Sequence, residues 1–213
     1  GAGKTTLMKI LVGVYTPDQG EWEYRGSKVP FPQNPKEAAK KGISIVYQEK
    51  GVIPSLRVYQ FLFLGNEEQY MGRFGLQAKK MMQDARDLLE EFHINCDVDA
   101  FMFSLPLSTQ KMIEIAKAIL SVRLEQEDSS KESVIILDEP TAPLTIEERE
   151  VLLKQIWNMK KTCSFIFVTH IMQEVMEYMD KVHVLRDGKS IAEYDMSKEK
   201  VTEKALTKSI IGK

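Results

Sequence analysis

Apolar residues fall into a helical rhythm at the start of the chain. Leu7, Ile10, Leu11 and Val14 recur at three- and four-residue intervals, which predicts a helix from Thr5 to Val14 with Gly13 as its C-terminal stop. Pro17-Asp18-Gln19-Gly20 is a turn signal. The polar/aromatic alternation Glu21-Trp22-Glu23-Tyr24 then reads as a strand, with Arg25-Gly26-Ser27 closing a hairpin. A short β-branched run from Ile43 to Tyr47 ends in Gln48. From Gln77 to Phe92, Met81, Met82, Ala85, Leu88, Leu89 and Phe92 share one face of an amphipathic helix. A second helix is expected over Thr109 to Leu120, with Ile113, Ala116 and Ile119/Leu120 inward.

The pattern then changes. Val134-Ile135-Ile136-Leu137 and Phe165-Ile166-Phe167-Val168 are continuous apolar runs, as parallel strands buried on both faces require. A helical pattern from Glu147 to Lys160 separates them, and the polar, charge-mixed stretch Ser121–Ser133 reads as a surface loop. The order β-α-β predicts an α/β fold with a parallel sheet covered by helices.

Composition narrows this little further. With 213 residues, 43% hydrophobic and 28% charged, the chain can bury the core of one sizeable domain. Twenty-nine basic residues against 31 acidic give a net charge of −2, without the basic excess of a nucleic-acid-wrapping protein. Cys96 and Cys163 form no CxxC and read as buried free thiols in a reducing compartment. The opening GAGKTTLMKI lacks a signal-peptide layout, and no apolar run reaches the ~20 residues of a membrane span. Any service to a membrane is expected through partners, from its cytoplasmic face.

Three places carry chemistry. Gly1-Ala2-Gly3-Lys4-Thr5-Thr6 runs straight into a helix and makes a phosphate cradle. Its glycines let backbone N–H groups converge on an anion, Lys4 reaches the β- and γ-phosphates, and Thr5 is a Mg²⁺ ligand. The full pattern G-x-x-x-x-G-K-[ST] needs a glycine ahead of residue 1. The chain is therefore expected to lack the start of that loop and the strand leading into it. Asp138-Glu139 follows a buried strand directly, where two carboxylates are costly unless they meet a cation or move protons. Asp138 suits Mg²⁺, and Glu139 suits an attacking water. His170, after Phe165–Val168, emerges at the same sheet edge and suits the γ-phosphate. An isolated Asp-Glu pair is compatible with a capped loop, and a lone His with a structural role. Three such sites converging on one edge argue for a nucleotide.

In order and spacing these motifs resemble the nucleotide-binding domain of ABC transporters along essentially the whole chain. The resemblance implies a RecA-like P-loop NTPase core, a mostly parallel sheet, an inserted helical subdomain and a small antiparallel β piece near Glu21–Val29. It divides a single domain into a core at 1–48 and 123–213 and a helical lobe at 49–122. Gln48 becomes the Q-loop glutamine, a sensor of Mg²⁺ and γ-phosphate, so the implied cofactors are ATP and Mg²⁺, with Thr5, Gln48 and Asp138 on the metal. The stretches Gly42–Glu49, Val52–Leu56, Phe63–Gly65, Lys9–Tyr15 and Val184–Gly188 are similar to importer ATPases of the ribose/galactose/xylose type. So is Ala142-Pro143-Leu144-Thr145. Those ATPases usually hold two such domains in one polypeptide, and Lys4 with the ending Ile210–Lys213 resembles the first.

The signature motif departs from the family. Counting back from Ile113–Lys117, its five positions fall on Leu105, Pro106, Leu107, Ser108 and Thr109, in preference to a shifted reading, Leu107-Ser108-Thr109-Gln110, that keeps Leu-Ser but breaks the helix register by two residues. Pro106 stands where a serine would offer a hydroxyl and an N–H to the nucleotide of the opposing domain, and proline supplies neither. Implied partners are a second ABC domain, in tandem or as a dimer, two transmembrane permease subunits and an extracytoplasmic solute-binding protein, but no nucleic acid. The implied location is peripheral, on the cytoplasmic face of the cell membrane, and the solute is a sugar or a related nucleoside or vitamin. Two other readings stay open: an inert or remnant ABC domain, and a soluble non-transport ABC ATPase acting on ribosomes or DNA.

Overall fold

In chain order the computed structural model contains α1 (Lys4–Leu11), β1 (Trp22–Tyr24), β2 (Ser27–Val29), α2 (Pro35–Lys40), β3 (Ile43–Val46) and α3 (Val58–Phe63). A 3-10 turn at Glu67–Tyr70 leads to β4 (Met71–Gly72), β5 (Gly75–Leu76) and α4 (Ala78–Glu91). After a second 3-10 turn, Met102–Ser104, come α5 (Leu107–Glu125), β6 (Ser133–Asp138), α6 (Ile146–Met159) and β7 (Cys163–Val168). The chain ends with α7 (Met172–Tyr178), β8 (Lys181–Arg186), β9 (Lys189–Asp195) and α8 (Glu203–Ile211). The structure describes residues 2–48, 51–73, 75–126, 132–160 and 162–212.

β6 is the middle of a three-stranded sheet ordered β3-β6-β7, and β3 runs parallel to it. The pairs β1-β2, β4-β5 and β8-β9 are separate antiparallel ribbons. This is the α/β class the hydrophobic pattern predicted. The chain divides into two compact units, one from Ala39 to Ile166 and the other taking the described residues before and after it.

In the Ala39–Ile166 unit the core gathers around β6 and α5. Ile135, Ile136 and Leu137 have no exposed surface, as befits a strand with neighbours on both edges and helices on its faces. Burying each such side chain contributes about 1.5–3 kcal/mol. α5 is longer than its periodicity suggested. It is buried nearly all round, through Met112, Ile113, Ile115, Ala116, Ile119 and Val122. Ser121–Glu125 is therefore helix rather than loop, because Val122 extends the buried stripe one turn beyond the polar residues that seemed to end it. α4 buries Met81, Ala85, Leu88 and Leu89 as its pattern required.

β7 departs from expectation. Its residues alternate in burial, and Ile166 is 37% exposed although the run Phe165–Val168 is wholly apolar. Among the described residues β7 pairs with β6 alone, and an edge strand is not enclosed on both faces.

In the other unit α1 buries Met8 (6%) and its C-cap Val12 is 1% exposed, while Leu7 and Val14 are exposed at 39% and 41%. The stripe read from Leu7, Ile10, Leu11 and Val14 is thus displaced by one position on the helix. Gly13 ends α1 as predicted, at φ 71°. A Cβ there would stand 2.6 Å from Pro32 O and Asn34 N, so only glycine fits. The hairpin β8–β9 carries α8 through Leu206 (1% exposed) and through Arg186, which donates to the Ser209 carbonyl at 3.2 Å. Of the two thiols, Cys163 is buried but Cys96 only partly so. Desolvation raises both to about 11.

Candidate functional site

The segment expected to cradle phosphate turns on Gly3. At φ 88° it adopts the left-handed conformation that a side chain would strain, and it serves as N-cap of α1. No side chain caps that helix start and no acidic residue occupies its first turn. The partial positive charge of such a helix start favours an anion. A backbone bond from Gly188 N to Ala2 O (3.2 Å) ties the loop to the β8–β9 turn. A Cβ on Gly3 would lie 3.4 Å from Gly188 Cα. Lys4 is half-buried, with Thr5 and Thr6 exposed beside it. Gly1 lies outside the described residues.

His170 belongs to the same unit, in the link from β7 to α7, and is exposed. Its neighbour Thr169 donates through Oγ1 to Glu174 Oε2 at 2.7 Å and accepts from the Ile171 N–H at 3.0 Å. Glu174 is 2% exposed, so a buried carboxylate anchors the residues on either side of the imidazole. Sequence reasoning missed Glu174; an acidic residue in the first turn of the helix after Thr169-His170 was the available signal.

The remaining candidates lie in the Ala39–Ile166 unit. Parallel pairing sets Val46 opposite Leu137, so the chain leaves both strands at one sheet edge. Gln48 is exposed there, and Asp138, ending β6, is 4% exposed. Glu139, half-buried, has φ 45°, a conformation costing a non-glycine residue about 1–2 kcal/mol. Bonds from Ala142 N to Glu139 O (3.3 Å) and Leu144 N to Thr141 O (3.0 Å) hold that turn, with Thr141 1% exposed. Thr145 then caps α6 in a reciprocal pair with Glu148.

The segment read as the signature lies at the start of α5. Leu105 and Pro106 are extended, Pro106 is the N-cap without a side-chain bond, and Leu107 is the first helical residue. Gln110 closes the start by donating from Nε2 to Leu105 O at 2.8 Å. Ser108 is 9% exposed. Among the described residues no three His, Cys, Asp or Glu side chains gather as a metal site, and no helix is long and apolar enough to cross a membrane.

The Gly-Lys-Thr start of α1, the carboxylate pair ending a buried parallel strand and the α/β sheet fit the P-loop nucleotide-binding class. The chain belongs to the ABC transporter family, which it matches over residues 1–142. It is 40% identical over its whole length to a Halalkalibacterium halodurans protein named as a ribose/galactose/methyl galactoside import ATP-binding protein. It is 36% identical, again over its whole length, to the ribose import ATP-binding protein RbsA of Caldanaerobacter subterraneus subsp. tengcongensis. The chain spans 39% and 40% of the lengths of these relatives. Among solved structures it is similar to an ATP-binding cassette of an ABC transporter, with TM-score 0.76, 19% identity, and coverage of 99% of this chain and 83% of the other. A nucleotide-free cassette gives TM-score 0.73 at 20% identity, covering 91% and 76%. These two likenesses establish the fold.

Proposed function

We propose that this chain is the ATP-hydrolysing domain of an ABC importer, coupling hydrolysis to uptake of a sugar or a related small solute. The observation that carries the reading is the parallel register of β3 and β6, which brings Gln48 and the Asp138-Glu139 pair out at one sheet edge. The relatives' names support an importer of ribose-like sugars.

In this reading Ala2, Gly3, Lys4, Thr5 and Thr6 hold the phosphates, with Gly1 completing the cradle. Glu139 orients and deprotonates the attacking water, and His170, braced through Thr169 and Glu174, contacts the γ-phosphate. The donors suit Mg²⁺: a hydroxyl of Thr5, an amide oxygen of Gln48 and the buried carboxylate of Asp138 are hard oxygen ligands that leave room for phosphate and water. The cation would neutralise charge on the transferring phosphoryl group.

Residues 1–48 and 123–213 act as the nucleotide-binding core and 49–122 as the lobe that meets transmembrane permease subunits. Within that stretch α3 packs on α4 and α5, while α5 also packs on β3 and β6. A second ABC domain faces the nucleotide through the segment Leu105, Pro106, Leu107, Ser108, and an extracytoplasmic binding protein delivers the solute. The assembly works at the cytoplasmic face of the membrane. The test is ATP hydrolysis by the complete protein reconstituted with its permease, with and without Mg²⁺. Stimulation by a solute-loaded binding protein supports the importer reading. Mg²⁺-independent or absent hydrolysis refutes the enzymatic one.

A further inference from the structure

α5 carries a buried pair of opposite charges that the roles above leave unused. Lys111 and Glu114, one turn apart, form an ion pair with side chains only 7% and 6% exposed. Lys111 Nζ also donates to the Tyr47 carbonyl at 3.3 Å, one residue before Gln48. On its other side Glu114 abuts the backbone of Gly51, where a Cβ would stand 3.1 Å from Glu114 Oε1. Neither Glu114 oxygen accepts a hydrogen bond from another described group.

Stability does not explain such a pair. Two well-packed apolar side chains in its place are commonly as stable or more so, since neither charge must then be desolvated. What the pair supplies is a fixed donor. Glu114 pins the ammonium at one point on a helix that is itself enclosed, and the ammonium holds one carbonyl at the mouth of β3. The same helix begins one residue after Pro106, so the signature segment and the exit of β3 share one rigid support.

We infer that Lys111, held by Glu114, is a positioning residue that acts through the Tyr47 carbonyl to fix where Gln48 leaves the sheet. The inference deepens the ATPase reading and rests on it for the role of Gln48. It makes the reach of Gln48 toward Mg²⁺ and γ-phosphate depend on where α5 stands.

Two uncharged double variants of the complete protein separate the donor from the charges. Lys111→Met/Glu114→Met removes the donor. Lys111→Gln/Glu114→Gln keeps an amide that can reach Tyr47. In the Met pair, backbone amides across residues 44–52 are expected to exchange with deuterium about tenfold faster, the loss of one charge-assisted bond, while β6 is unchanged. ATP turnover falls about tenfold with KM for ATP held within about twofold, as for a group used after binding. The Gln pair restores both. Unaltered exchange over 44–52 in the Met pair, faster exchange without loss of kcat, or equal defects in the two pairs would each overturn the inference. Should the Met pair not fold, the Gln pair decides alone: a turnover defect in it refutes the donor role, and near-normal turnover with normal exchange supports it. Hydrolysis by the unaltered protein, measured beside them, judges the ATPase reading separately, because the exchange comparison does not need turnover.

Discussion

Val46 of β3 stands directly opposite Leu137 of β6 in a parallel ladder, so Gln48 and Glu139 each follow the same rung by two residues. A slip of one residue would turn one of these exits to the other face of the sheet. The apolar runs on both strands prevent it, since Ile43, Val46 and the wholly buried Ile135, Ile136 and Leu137 lock the register. The proposed chemistry therefore hangs on ordinary core packing, and its consequences can be measured.

Glu139→Gln keeps the shape of the side chain and removes its basicity. Turnover of ATP is expected to fall about 100-fold or more, with nucleotide affinity retained, in parallel hydrolysis and binding measurements on the complete protein. Retained hydrolysis takes Glu139 out of the base role.

Gly13→Ala tests the end of α1. The new Cβ meets Pro32 O and Asn34 N at 2.6 Å in a backbone at φ 71°, so a loss of about 2 kcal/mol or more is expected in urea unfolding. Gly26→Ala is the control. Its φ of 73° is similar but nothing lies within 4 Å, and only the backbone cost of about 1 kcal/mol should appear.

Pro106→Ser returns a hydroxyl and an N–H to the N-cap of α5. A severalfold rise in ATP turnover or a gain in nucleotide affinity is expected, because proline supplies neither donor to the facing nucleotide. A serine cap also stabilises the helix by about 1 kcal/mol, so a higher melting point with unchanged turnover would deny the signature any such weakness.

Lys117 donates to the Phe61 and Leu64 carbonyls at the end of α3, both at 2.8 Å. Burial lowers its pKa from 10.5 to about 8, opposed by the smaller effect of Glu67. Between those values the unfolded chain holds a proton that the folded chain has released, so this group makes stability rise with pH across the window from about 8 to 10.5. The full shift would give about 3 kcal/mol, and because water still reaches the half-buried side chain the expected rise is of order 2 kcal/mol. Lys117→Met should flatten it, read as the difference between the two proteins' unfolding midpoints across that window. Parallel pH profiles would show that the ammonium is solvated in the folded state.

Periodicity alone determined much of this protein. The continuous run Val134–Leu137 identified the central strand, the face from Met81 to Phe92 identified α4, and the glycines with Lys4 marked the start of α1. Such features are legible because backbone geometry repeats at fixed intervals and each residue type answers to it locally. Other features depended on what packs against what. Phe165–Val168 reads as wholly enclosed, yet Ile166 is exposed, since enclosure belongs to neighbouring strands and not to the run itself. Met8 and Val12 are buried in place of Leu7 and Val14, because several apolar residues offered alternative stripes and only contact chose between them. Lys111 and Glu114 look like solvated helix charges until β3 and Gly51 close over them. The left-handed turn at Glu139 is a tertiary product too. No local preference of glutamate calls for it, and the bonded turn from Glu139 to Leu144 imposes it.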